Sequence, residues 1–161
     1  GATIAWGGIC CSKPPCLAIS LRAATYTHGC IKAAKAFTVS IPSQAQAVEA
    51  DYFGMASGRD TDKFAAAGLT PVKADTVNAP GVAEFPLIIE CSLKEVVELG
   101  LHTQFVGEIM DVKADESVLT DGKIDLTKMG AVIYAPGERR YYGLGPDLGA
   151  GFSIGNKFMK K

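Results

Sequence analysis

The apolar residues of this 161-residue chain arrive in short runs, and prolines, glycines or charged clusters close off each run. The apolar stretch from Phe85 to Ile89 is itself interrupted by Pro86, and no apolar run is much longer than five residues. A helix that crosses a bilayer needs roughly 20 consecutive apolar residues, so no membrane span is expected. Short runs at short intervals, with helical patterns that do not alternate regularly with them, predict a mainly β fold. The expected form is a closed antiparallel barrel carrying peripheral helices, not a parallel βαβ sheet.

Residues 2–11 and 16–21 are strand candidates around Ser12, Lys13, Pro14 and Pro15, a turn in which proline fixes φ and removes donors. Between residues 25 and 36, Ile31, Ala33 and Ala34 recur near helical spacing while Lys32 and Lys35 can face solvent. The β-branched and aromatic residues of 37–41 favour a strand that Pro42 stops. Ser43 is placed to cap a helix reaching about Phe53, with Gln46 completing a capping box. A shorter helix is expected from about Asp60 through Lys63 and Phe64 to Gly68, a natural C-terminal stop. Residues 70–80 read as connection, and 85–93, 95–99 and 104–112 as three further strands. Charge and turn residues dominate 114–128, with a helical turn near 116–119, before a last strand over 131–134. The glycine-rich tail from Gly143 is expected to be loop and to lie over another part of the molecule. A chain of this length is read as one domain over 1–161.

Hydrophobic residues make up 48% and charged residues 20%, enough to build a core. Sixteen Lys and Arg against seventeen Asp and Glu leave a net charge of −1, so no basic field invites nucleic acid. The first residues are apolar but follow no basic stretch, which argues against a signal peptide. They also lack an initiator Met, which predicts further residues upstream. The five cysteines are odd in number and too sparse for a disulfide scaffold, and reduced thiols in a cytoplasmic protein are the simpler reading. Cys10, Cys11 and Cys16 lack the spacing of a metal site, so no metal is expected.

Four stretches, in order and spacing, resemble one family. They are Thr3-Ile4-Ala5-Trp6-Gly7-Gly8-Ile9 with Lys13-Pro14-Pro15, then Ser20-Leu21-Arg22 with Thr25-Tyr26, then residues 57–64 (Ser-Gly-Arg-Asp-Thr-Asp-Lys-Phe), and finally residues 102–109, His-Thr-Gln-Phe-Val-Gly-Glu-Ile. The family is the flavin-reductase-like FMN-binding split barrels, and among them the flavoredoxins. The resemblance continues more weakly from Tyr134 to Tyr142. It implies a homodimer that holds FMN near the interface, with a redox partner protein or NAD(P)H supplying electrons. It also implies a first strand pair ahead of the Thr3 stretch that this sequence does not contain.

The same residues have the chemistry that FMN needs, which is donors and positive charge for a phosphate and apolar walls for a flat ring. Arg22 can fork onto phosphate oxygens, Ser20 and Thr25 add hydroxyls, and Lys63 adds a point charge beside free amides at a helix start. Ser57 and Gly58 read as a phosphate nest or as an ordinary turn. Trp6, beside Gly7 and Gly8, borders the ring or fills the core, and Thr3 and Ala5 can offer backbone groups to the ring edge. The alternative reading of the basic residues is plain solvated charge. His102 matches the histidine of the family's Gly-Asp-His signature, but Leu101 stands where the aspartate belongs. A nicotinamide contact there lacks the adjacent carboxylate that would orient the imidazole. Cys30 stands where the family commonly has Asn and offers one polar contact fewer.

No Ser-His-Asp or Cys-His arrangement stands out, so catalytic residues are not assigned. The expected function is electron transfer through bound FMN. The alternatives are an NAD(P)H:flavin oxidoreductase and a non-catalytic flavin-binding module, and whether the protein is an enzyme stays open between them.

Overall fold

The computed structural model describes residues 1–159. Gly7–Ser12 (β1) and Pro15–Arg22 (β2) form the predicted hairpin, in which Ser12 pairs with Pro15 and Gly7 with Ile19. The first strand is shorter than the pattern of residues 2–11 predicts. Ser20 N–H donates to the Trp6 carbonyl at 2.8 Å, and before that point Thr3 donates its hydroxyl to the Ala50 carbonyl, which draws the chain off the sheet toward a helix.

The first helix is Tyr26–Ala34 (α1), closed by Lys35 in the left-handed conformation, and it leads into Ala36–Ile41 (β3). Ser43 N–H does donate to Gln46 Oε1 at 2.8 Å, but the box caps a 3-10 turn over Gln44–Gln46 that precedes the helix Ala47–Met55 (α2). The third helix, Lys63–Ala67 (α3), starts after Asp62 and stops at Gly68 with φ 67°, where the absence of a side chain makes the turn cheap. The segment expected to be plain connection holds Pro71–Lys73 (β4), which pairs with Pro80–Val82 (β5).

The two strands expected at 85–93 and 95–99 are one strand, Leu87–Glu98 (β6), paired along its length with His102–Ala114 (β7). The pairing steps from Leu93–Gly107 to Glu95–Val106, so Lys94 is an extra residue absorbed in a bulge. That insertion is what breaks the alternation in the sequence. Gly107 faces Phe37, and a Cβ there would stand 2.7 Å from the Phe37 ring, so only glycine lets the two pack. The chain continues through Leu119–Thr120 (β8), Lys123–Ile124 (β9), Leu126–Met129 (α4), Val132–Ala135 (β10) and Arg140–Gly143 (β11).

The main sheet is antiparallel throughout, in the order β1-β2-β7-β6-β3. Its ladder ends at β1 and β3, so among the described residues the barrel is not closed by hydrogen bonds as the sequence pattern suggested. Alternate residues Leu17, Ile19 and Leu21 of β2 and Leu87, Ile89 and Cys91 of β6 share one face with Phe37 and Phe105. Ile31 of α1, Val118 and Met129 cover that face and complete the core. The tail after Gly143 leaves Leu148, Phe152 and Phe158 strongly exposed and covers no part of its own chain with them. Among the described residues no helix is long and apolar enough to cross a membrane.

Candidate functional site

Strand pairing brings most of the candidate residues to one end of the main sheet. Ser20 and Arg22 lie at the end of β2, and Arg22 pairs with His102 at the start of β7. The half-exposed Trp6 ring meets the His102 ring edge-on, with centroids 6.3 Å apart. Thr25 turns the chain from β2 into α1, since its hydroxyl and its amide both donate to the Arg22 carbonyl at 2.9 Å. The Arg22 side chain itself is exposed and has no hydrogen-bond or ion-pair partner among the described residues.

The stretch before α3 packs against this corner. Ser57 shapes a turn, its hydroxyl accepting from Arg59 N–H at 3.2 Å and its carbonyl from Asp60 N–H at 3.1 Å. At Gly58 a Cβ would stand 3.1 Å from the Tyr26 ring, so the turn lies directly on the first residue of α1. Arg59 then reaches across, donating to the Ala24 carbonyl at 2.9 Å with its guanidinium 5.7 Å from the centre of the Tyr26 ring. Sequence reasoning quoted Arg59 within its motif but gave it no role, because its reach to Ala24 and Tyr26 is a tertiary fact.

Lys63 is placed differently from the expectation. It is only 6% exposed, and its ammonium donates to the Phe53 carbonyl at 2.7 Å while facing the Phe53 ring at 5.5 Å. Burial holds its pKa below the ordinary lysine value. Nor are the first amides of α3 free, as the pattern suggested, because the Asp62 carboxylate accepts from Phe64 and Ala65 at 3.1 and 3.3 Å. An aspartate at the cap position satisfies those donors within the chain.

Thr3 and Ala5 stand apart from the rim, on the wall of a largely apolar cavity of about 530 Å³. Of the candidate set only these two border it, together with Cys30, Phe53 and Tyr141. Tyr26 joins the two places, since it lines the cavity and also touches Gly58 and Arg59. On the cavity's far side the Tyr141 hydroxyl donates to Asp51 at 2.8 Å, and burial together with that carboxylate pushes the phenol up to about 12.

A second histidine, which sequence reasoning passed over, is the better anchored one. His28 is buried in α1, its Nε2 is 2.9 Å from Thr103 Oγ1, and its ring packs edge-on against Phe105 at 5.1 Å. Thr103 in turn donates to Glu98 at 2.7 Å, so it must accept from His28, which fixes the proton on Nε2. The His102 ring, by contrast, has no hydrogen-bond partner among the described residues.

Residues 1–143 match the flavin reductase like domain. The chain belongs to that family. Its fold is accordingly the family's split barrel. It is 54% identical to flavoredoxin of Desulfovibrio vulgaris (Miyazaki F), covering 94% of this chain and 82% of that one, with a TM-score of 0.90. It is 28% identical to flavoredoxin from Methanosarcina acetivorans, covering 97% of this chain and 83% of that one, with a TM-score of 0.92. Among sequence relatives it is 32% identical over 126 residues to the ferric-chelate reductase (NAD(P)H) of Archaeoglobus fulgidus, covering 74% of this chain and 71% of that protein. Three other relatives are longer, and the chain spans 64%, 43% and 41% of their lengths. Within the flavin reductase-like fold, the corner formed by the end of β2, the start of α1 and the 57–59 turn carries Arg22, Arg59, Thr25, Ser57 and the Tyr26 ring.

Proposed function

We propose that residues 1–161 act as one FMN-binding domain that transfers electrons in the manner of a flavoredoxin. The observation that carries this reading is the 54% identity to a flavoredoxin at a TM-score of 0.90. The site's chemistry fits the cofactor. Arg22 offers a guanidinium with no partner among the described residues, Arg59 lies over Tyr26 at the start of α1, and Ser20, Thr25 and the Ser57–Gly58 turn add hydroxyl and amide groups. Such a set suits a phosphate. Trp6, Thr3 and Ala5 supply the ring side, and Lys63 supports the 57–59 turn from beneath, at the end of α2. When bound, the flavin supplies the redox chemistry, and the protein's part is to orient the ring and screen it from water.

NAD(P)H as electron donor is the second reading, favoured by the likeness to a ferric-chelate reductase named for that nucleotide. His102 is its candidate contact. We further propose that the protein works in the cytoplasm, where its five cysteines stay reduced, and that it is a homodimer. The exposed Leu99 and Leu101 at the β6–β7 turn and the apolar tail support the dimer. The test is the absorption spectrum of the purified protein, extended by light scattering. A two-band flavin spectrum with releasable FMN, at twice the chain mass, is expected. A colourless protein that takes up no added FMN contradicts the proposal.

A further inference from the structure

The β1–β2 hairpin carries three of the five cysteines away from the candidate flavin site, next to the turn that closes it. Cys11 and Cys16 are direct cross-strand partners, one residue pair in from Ser12 and Pro15. Opposed residues of an antiparallel pair point to the same face, with Cα atoms about 4.5 or 5.5 Å apart depending on their place in the ladder. Both separations fall within the roughly 4.4–6.8 Å between Cα atoms that a disulfide spans, so the pairing places the two cysteines within bridging reach. Cys10 is different. The register slips between Ile9 and Cys11, which leaves Cys10 as the bulged residue with no cross-strand partner.

Accessibility divides the roles. Cys11 is half-buried and can be reached from solvent, whereas Cys16 is 4% exposed and sits behind it. Burial, then the neighbouring Cys11 and Cys10, raise the Cys16 thiol above its ordinary value, while Lys94 acts in the opposite sense. Lys94 is held at this place by Glu108, with Nζ 2.6 Å from the carboxylate. Cys91 is fully buried and pushed up to about 12 by burial, so it stays a thiol.

We propose that Cys11 and Cys16 are an oxidation site, closing to a cross-strand disulfide when the protein meets a peroxide. The Cys11 thiolate attacks one peroxide oxygen, so an S–O bond forms, the O–O bond breaks, and the departing oxygen leaves as water. The Cys16 thiol then attacks the Cys11 sulfur and gives its proton to the departing hydroxide, so the S–S bond forms, the S–O bond breaks and a second water is released. Two thiols and one hydrogen peroxide give one disulfide and two waters. Among the described residues β1 pairs with β2 alone, so the bond ties this strand to its neighbour at the turn.

The experiment is thiol counting on the intact, fully reduced protein before and after hydrogen peroxide, with alkylation and intact mass, followed by dithiothreitol. Wild type should lose two of its five thiols with no cross-link between chains, each chain two hydrogens lighter, and recover both on reduction. Cys10→Ser should behave in the same way. Cys11→Ser, a change at a half-exposed position that the fold tolerates, should form no intramolecular disulfide. Cys16→Ser should instead leave a sulfenic acid on Cys11 that dimedone traps. Retention of all five thiols by wild type overturns the proposal. So does a disulfide that survives Cys11→Ser or disappears in Cys10→Ser.

Discussion

Two polar clusters in this protein differ in whether the chain itself satisfies them. Glu90 is fully buried, and every lone pair it turns inward meets a donor. Oε1 accepts from Asp75 N–H at 3.0 Å and Lys113 Nζ at 2.9 Å, and Oε2 from the amide and hydroxyl of Thr76 at 2.8 and 2.6 Å. Lys113 also reaches Asp75 at 2.7 Å, so the segment between β4 and β5 is clamped onto the main sheet. At the other cluster Arg22 is exposed and unpaired among the described residues, and Arg59 uses only part of its fork. A charge that the fold consumes stabilises the fold, and a charge that the fold leaves open remains for a ligand.

The largest effect that could break this contrast is on stability. Glu90→Ala leaves the Asp75 and Thr76 amides without their acceptor and Lys113 with Asp75 alone, and should lower the unfolding free energy by roughly 3 kcal/mol in urea titration. Arg22→Ala should stay within about 0.5 kcal/mol of wild type. Equal losses at both sites would erase the distinction. Acidification sharpens it. Burial alone would raise Glu90, but the donors of Thr76, Lys113 and Asp75 outweigh it and hold the carboxyl at about 2, below its ordinary 4.5. Because the folded-state value is the lower one, this stabilisation is fully present above about pH 4.5 and is lost as pH falls toward 2. Urea midpoints should therefore fall over that window in wild type and fall less in Glu90→Gln.

Lys63 tests the boundary between the two clusters. Lys63→Met removes the bond to the Phe53 carbonyl, and urea titration should show a loss of roughly 1–2 kcal/mol. Its preference for FMN over riboflavin should survive, whereas a stable variant that lost that preference would move Lys63 into the ligand's cluster. The smallest effect is expected at His102, whose ring meets Trp6 edge-on but has no hydrogen-bond partner among the described residues. In anaerobic stopped-flow, His102→Ala should change flavin reduction by NADH or NADPH by less than about threefold, under roughly 1 kcal/mol of barrier. A hundredfold collapse, about 2.7 kcal/mol, would favour the NAD(P)H oxidoreductase over the carrier.

Where local chemistry decides, sequence reasoning located the elements well. The Pro14-Pro15 turn, the Ser43–Gln46 box and the Gly68 stop are written in a few neighbouring residues, and all three are in place. The merged β6 was misread because the Lys94 bulge interrupts a period of two that the backbone carries straight through. The β4–β5 pair was missed because three-residue strands show almost no pattern. The same limit governs the candidate site. Ser20, Arg22, Thr25, Ser57 and Gly58 are candidates that the family resemblance singles out, with residue type and spacing beside it. That Lys63 turns inward to Phe53 while Arg59 turns outward onto Tyr26 depends on how α2 and α1 pack. His28 gave no signal at all, since a histidine on a short helix is recognised only once Thr103 is seen beside it.

The central claim is that the open cations at the end of β2 hold the phosphate of FMN. Titration of the flavin-free protein with FMN and with riboflavin, for wild type and Arg22→Ala, tests it most directly. Wild type should bind FMN at least tenfold more tightly than riboflavin, and Arg22→Ala should weaken FMN by roughly tenfold, about 1.4 kcal/mol for a charge-assisted contact, while leaving riboflavin nearly unchanged. Equal affinities for the two flavins in wild type, or equal losses of both in the variant, would contradict it.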